Sequence, residues 1–235
     1  MTQSNCNPTE FKKAFHAAFP KTIPVLTGFL LLGAAYGVLM QSKGYGILWA
    51  VLMSAFAFCG SMQFVALTFL TIAFHPLQAF LMSLMVNARH LFYGLAMLEK
   101  YKGLGKIRGF LIFTLCDESF SILCSVEPPV FINKKYFYFW VSFLDYLYWV
   151  FGTLLGGILG GFLSFDTRGL DFVLTALFIV LFAEQWHIAK NRKSCIIGIV
   201  CTLVSLLLFG PENFVLPAMI FILCTLMIGR KKLCN

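Results

Sequence analysis

Residues 77–98 read Leu-Gln-Ala-Phe-Leu-Met-Ser-Leu-Met-Val-Asn-Ala-Arg-His-Leu-Phe-Tyr-Gly-Leu-Ala-Met-Leu, an apolar run with Asn87, Arg89 and His90 near its middle. At 1.5 Å per helical residue the run is long enough to cross a hydrocarbon core about 30 Å thick. A charged side chain at that depth costs a few kcal/mol or more, so it faces a partner or a watery cavity and marks a transport or relay path. On a helix Asn87, His90 and Gly94 share one face, and Arg89 and Tyr93 share another. Either the chain moves a solute past these groups or they belong to a buried ion pair. For Arg89, substrate contact and structural ion pair stand side by side; for His90, a hydrogen-bonded structural role stands beside proton transfer.

The rest of the chain agrees with a membrane setting. It is 60% hydrophobic and only 12% charged, with a mean hydropathy of +0.85, whereas soluble domains carry about 25% charged residues. The sequence reads as an all-α polytopic integral membrane protein of seven to eight transmembrane helices. The formal net charge of +8 does not point to nucleic acid. Every Lys and Arg except Arg89 lies outside the apolar runs, while Asp117, Glu118, Asp145 and Glu184 lie within them. Basic residues confined to loops and termini are a topology signal. The eight cysteines and four histidines show no zinc-like spacing and no HExxH pair, so no metal or cofactor is expected. The polar, basic first twenty residues have no signal-peptide h-region.

Residues 1–21 are expected to form a polar arm at the cytoplasmic interface, and residues 22–235 a single permease domain. The first span, Ile23 to Met40, carries Gly33-x3-Gly37, a spacing that lets helices approach closely. The second run, Ile47 to Phe74, is longer than a straight span needs and is interrupted around Phe58-Cys59-Gly60-Ser61-Met62-Gln63-Phe64. A broken second helix and a long tilted one both fit that stretch. A break at mid-membrane would present half-helix dipole ends and unpaired backbone groups to a solute.

The fourth span is expected from Gly109 to Val126, with Asp117-Glu118 near its centre. Adjacent carboxylates at that depth need a cation such as Arg89 or a proton, so they are candidates for proton coupling or for a helix-orienting salt bridge. The fifth span, Tyr136 to Phe165, holds Asp145 and the glycines Gly152, Gly156, Gly157, Gly160 and Gly161, which read as packing grooves. A sixth covers Phe172 to Ala189. Ser194 to Phe209 and Phe214 to Ile228 flank a turn at Gly210-Pro211-Glu212-Asn213, as two minimal spans or one shallow hairpin.

Eight spans with both termini cytoplasmic place Lys100, Lys102, Lys106 and Arg108 outside, against the general bias. Sliding the chain by 122 or 123 residues brings Gly33, Gly37, Leu52, Phe56, Gln63 and Phe64 onto Gly156, Gly160, Leu174, Phe178, Gln185 and Trp186. This hints at parallel repeats, 22–98 and 136–229, joined by 109–126.

Ile23-Pro24, Phe56-Ala57-Phe58-Cys59-Gly60-Ser61-Met62-Gln63-Phe64, Val86-Asn87-Ala88-Arg89-His90-Leu91-Phe92-Tyr93-Gly94, Asp117-Glu118-Ser119-Phe120 and Leu170 to Phe178 together resemble the AzlC family. The resemblance covers roughly residues 20–230. Cys59 stands where the family more often has alanine. The resemblance implies the large subunit of a bacterial exporter of valine, leucine, isoleucine and sometimes methionine, a multi-pass protein of the cell membrane working with a small AzlD-type membrane subunit. A zwitterion needs donors and acceptors at midplane, so Gly60, Ser61, Gln63 and Asn87 are the expected substrate-binding residues. Arg89, Asp117 and Glu118 are the expected charge relay. A glycine face such as Gly152 to Gly161 is expected to seat the partner. Two other classes remain: a structural assembly subunit without a path of its own, and an intramembrane enzyme, for which no nucleophile and base are joined by a motif.

Overall fold

The computed structural model describes residues 8–71, 76–162 and 192–233, with isolated positions between 172 and 187. All regular structure among these residues is helical. The chain forms two compact units, Met1–Asp171 and Phe172–Asn235.

The first unit is built on two long helices, α1 (Pro8–Ser42) and α7 (Lys134–Phe162). They pack backbone to backbone because glycine removes the side chains at the crossing. A Cβ on Gly33 would stand 2.9 Å from Trp149 O, and one on Gly152 2.8 Å from Phe29 O. Cβ atoms on Gly37 and Gly156 would collide with the backbones of Thr153 and Ala34. In lipid there is little hydrophobic drive between helices, so this close dispersion contact is what joins them. The glycine face expected to seat a partner is therefore occupied by α1.

Within the expected polar arm, residues 8–21 are helical and continue into the rest of α1 without interruption. The reason is an aromatic stripe at helical spacing. Phe11 and Phe15 lie 4.7 Å and 4.8 Å from the Trp140 ring, and Trp140 Nε1 donates to Phe11 O at 3.0 Å. Lys12, Lys13 and Lys21 remain exposed. Pro20 and Pro24 lie inside the helix; nearby, the Thr22 and Thr27 hydroxyls donate to Phe19 O and Pro24 O, both at 3.0 Å.

The second apolar run is two helices, α2 (Ile47–Phe56) and α3 (Gly60–Thr71), separated by Ala57-Phe58-Cys59. Phe58 turns the chain at φ 37°, a region L-residues rarely adopt, and its ring is held against Tyr146 at 5.1 Å. The arginine-bearing run is α4 (Pro76–Met97).

The fourth span departs from its expected single helix. It is α5 (Ile107–Phe113) and α6 (Asp117–Ser125), with Thr114-Leu115-Cys116 between them. Thr114 Oγ1 donates back to Phe110 O at 2.8 Å, and Ser119 Oγ accepts the Cys116 N–H at 2.9 Å, starting a new helix. Asp117 and Glu118 occupy its first turn, where the macrodipole favours negative charge. At the other end of α6 Lys100 Nζ donates to Leu123 O at 2.6 Å, so this loop lysine caps a helix C-terminus.

The second unit holds α8 (Arg192–Asn213) and α9 (Val215–Leu233). Gly210, at φ 73°, supplies the left-handed residue that ends the straight part of α8. Phe209 meets Phe221, and Cys201 meets Thr225, so the two helices run antiparallel.

Among the described residues, Thr9–Ser42, Lys134–Phe162 and Arg192–Gly210 are long and apolar enough to cross a membrane, and Ile47–Phe56 and Gly60–Leu70 are shorter apolar helices. Most of the expected sixth span and positions 174, 178 and 185 of the internal echo lie outside the described residues.

Candidate functional site

The two breaks converge on one side chain. Arg89, projecting from α4, places Nη1 2.5 Å from Asp117 Oδ2 at the start of α6 and donates from Nη2 to Ser61 Oγ at 2.7 Å at the start of α3. Both helix starts carry N–H groups that no intrahelical carbonyl can take, and both present the positive end of a dipole. Asp117 offsets that charge at α6; α3 has no acid in its first turn.

The pair is only partly sheltered, at 31% exposure for Arg89 and 22% for Asp117. Arg89 Nε and Asp117 Oδ1 have no hydrogen-bond partner among the described residues. One donor and one acceptor are thus left over among the described residues, with the Tyr93 side chain next to Asp117.

Asn87 lies one step away on α4. Its Oδ1 accepts from Cys59 Sγ at 2.8 Å, and its Nδ2 is 3.4 Å from Ser83 Oγ. Asn87 and His90 also line an apolar, half-open cavity of about 320 Å³ with Leu84, Leu91, Ile112 and Leu115. Leucine and isoleucine walls suit an aliphatic side chain better than a polar one. His90 packs edge-on to Tyr93, which stacks on Phe120 of α6 at 4.4 Å.

Gln63 is placed differently from the other expected contacts. It is 2% exposed, and both ends of its amide are engaged: Oε1 accepts from Trp149 Nε1 at 2.7 Å, and Nε2 donates to Ser54 Oγ at 3.0 Å. Ser54 in turn bonds Thr153 at 2.8 Å. Gly60 rests on the Trp149 indole, where a Cβ would stand 2.9 Å from Cη2. This chain of bonds anchors the start of α3 to α7 rather than facing the cavity. Gln63→Ala is expected to leave the Trp149 N–H buried and unpaired and lower stability by about 1–3 kcal/mol. A melting curve in detergent checks this; an unchanged midpoint would show that the network carries little.

Glu118 is half-buried beside Asp117. Of the expected residues, then, the structure brings Ser61, Arg89 and Asp117 together, with Asn87 adjacent, and sets Gln63 behind them. Sequence reasoning missed Cys59 as a partner of Asn87 and missed the second break. The signal was present in Phe56-x-x-Cys59 and Phe113-x-x-Cys116, the same spacing just before each new helix.

A family profile described as AzlC protein matches residues 24–163. The chain is 51% identical over 220 residues, 94% of its length and 87% of the relative's, to the branched-chain amino acid transport protein AzlC of Bacillus subtilis. It is 42% identical over 224 residues to an uncharacterized membrane protein of Helicobacter pylori, covering 95% of this chain and 98% of that one. A similar protein of Haemophilus influenzae, also an uncharacterized membrane protein, is 40% identical over 234 residues, 99% of this chain and 96% of the relative. No solved structure matches the chain.

Proposed function

The chain belongs to the AzlC family, and on that premise we propose that this multi-pass bacterial membrane protein exports branched-chain amino acids by proton-coupled secondary transport. The name of the Bacillus subtilis relative supports the solute class. The observation that carries the reading is Arg89 held between two helix starts, with Arg89 Nε and Asp117 Oδ1 both unfilled. A zwitterion carries one carboxylate and one ammonium at fixed separation. Its carboxylate finds Arg89 Nε and the first turn of α3 at Gly60 and Ser61; its ammonium finds Asp117 Oδ1 and the Asn87 amide. The aliphatic side chain lies along the cavity of Leu84, Leu91, Ile112 and Leu115. Discontinuous helices at the midplane serve amino-acid carboxylates in this way in secondary transporters.

Gln63 enters this scheme through position, because it fixes α3 against Trp149. The relay consists of Arg89, Asp117 and Glu118: substrate draws Arg89 to its carboxylate while its ammonium takes the place of Arg89 at Asp117, and once substrate leaves, the freed Asp117 carboxylate binds a proton and Glu118 passes it on. In the full topology, seven to eight spans with cytoplasmic termini, the pairs α2–α3 and α5–α6 each act as one broken span. A small AzlD-type membrane subunit completes the assembly, docking on a face other than the α1–α7 glycine seam.

The test is efflux of labelled leucine from cells lacking their own export systems, with and without the small subunit. Strong efflux with both chains and weak efflux with either alone is expected. Full efflux from this chain alone, in cells free of every homologue of the small subunit, removes the partner from the scheme; no efflux in either condition removes transport.

A further inference from the structure

One acidic residue stands apart from the ion pair. Asp145, at the middle of α7, is completely buried, and neither of its carboxylate oxygens has a hydrogen-bond partner among the described residues. Ser142 Oγ, one turn earlier on the same face, is equally buried and equally unpartnered. Three buried oxygens on one face of α7 are therefore without a hydrogen-bond partner among the described residues.

Among the described residues, the surrounding charges do not neutralise the carboxylate. The titratable groups that act on Asp145, or on which it acts, are Glu118 on α6, Cys116 at the break before α6, and Tyr148 on α7 itself. No cation stands among them. From α1 the facing group is the neutral Thr22 hydroxyl, already bonded to Tyr148 Oη at 3.1 Å. His16 and Lys21 of α1 and Arg108 of α5 are exposed, and α2 has no charged residue. Arg89 is engaged by Asp117 and Ser61. A bare carboxylate in this position would lie in a low-dielectric interior with a second acid as its neighbour, an arrangement that proteins avoid by neutralising the group or giving it a cation.

We propose that Asp145 is a proton-binding site, the resting place of the coupling proton between turnovers. This rests on the transport reading above and extends it. As the α5–α6 break rearranges, the proton leaves the Asp145 carboxyl oxygen for the Glu118 carboxylate, one O–H bond breaking as the other forms, and Ser142 donates to the oxygen left behind. A buried carboxyl on the central helix so communicates with the relay at the helix break without contacting the solute.

Two measurements decide it. Dicyclohexylcarbodiimide reacts with protonated carboxyls in apolar surroundings, and peptide mapping of the treated wild-type protein is expected to find the adduct on Asp145 at neutral pH. The adduct should diminish in alkali and be unaffected by excess sodium. No adduct at Asp145 across that range overturns the proposal, and so does loss of the adduct on adding sodium, which would mean a bound metal cation instead. In liposomes, Asp145→Asn is expected to lose leucine transport driven by a pH gradient while keeping leucine–leucine exchange, with Asp145→Glu restoring part of the driven flux. A variant that still responds fully to the gradient contradicts the role. If Asp145→Asn fails to fold, the carbodiimide map on the wild-type protein decides alone. An adduct on Asp145 in a protein that moves no solute supports the proton site and counts against the transport reading only.

Discussion

Arg89→Gln is expected to abolish leucine efflux and to lower the stability of the protein by about 3 kcal/mol, the lower end of what breaking a sheltered ion pair costs. The lower end applies because both side chains keep some exposure. The loss has two parts. The variant leaves Asp117 at the start of α6 without its counter-charge, and Ser61 loses its donor, so α4 loses a polar tie to each broken span at once. Adding Asp117→Asn should recover most of the stability, since the stranded charge disappears, while efflux stays absent because no guanidinium remains to receive a carboxylate. That separation distinguishes a working site from a structural staple. If the double variant regained both stability and efflux, Arg89 would be a staple; if Arg89→Gln alone kept its efflux, the site would lie elsewhere. Melting curves in detergent and efflux from cells supply the two readouts.

Gly156→Leu is the second large effect. Even a Cβ at this position collides with the Ala34 backbone, and a leucine must push α1 and α7 apart along the whole seam that Gly33, Gly37 and Gly152 also form. Overpacking costs about 1–3 kcal/mol in soluble cores. Here it is expected to cost more, because backbone on both sides leaves no flexible atom to yield and the close approach itself is the source of affinity. Gly161→Ala is the matched control, since its Cβ would rest at an ordinary 3.6 Å from Gln41 Nε2. Thermal unfolding should show a steep loss for the first and no change for the second. Equal midpoints would mean that the glycine seam does not hold the unit together.

These two sites also show what was legible in the chain and what was not. Arg89 announced itself because a guanidinium inside an apolar run has no bland explanation, and Asp117 could be matched to it by charge and depth alone. The glycines of α1 and α7 were readable as packing surfaces, yet their spacing carries no record of which surface they meet, and they meet each other. The second break was hidden by hydropathy, since Thr114-Leu115-Cys116 is as apolar as the helices around it; its marker was polar and local, an acid pair and Ser119 placed to begin a helix. Gln63 is expected from the sequence to bind substrate and is found bonded to Trp149 and Ser54, because a polar residue in an apolar run looks the same whether it faces a solute or a buried indole. Only the partner, Trp149, decides, and it comes from far along the sequence. A helix that runs through Pro20 and Pro24 was not legible, because proline inside a run reads as a helix boundary.

The central claim is that substrate lies where the two broken helices meet Arg89, and Cys59 is a native reporter of it. Its thiol bonds Asn87 at the break before α3 and is partly exposed. In protein whose other cysteines have been replaced by serine or alanine, the alkylation rate of Cys59 should fall several-fold in saturating leucine, valine or isoleucine and remain unchanged in aspartate or lysine. An alkylation rate that no branched-chain amino acid alters, in a protein that still exports leucine, would place the substrate elsewhere and contradict the account.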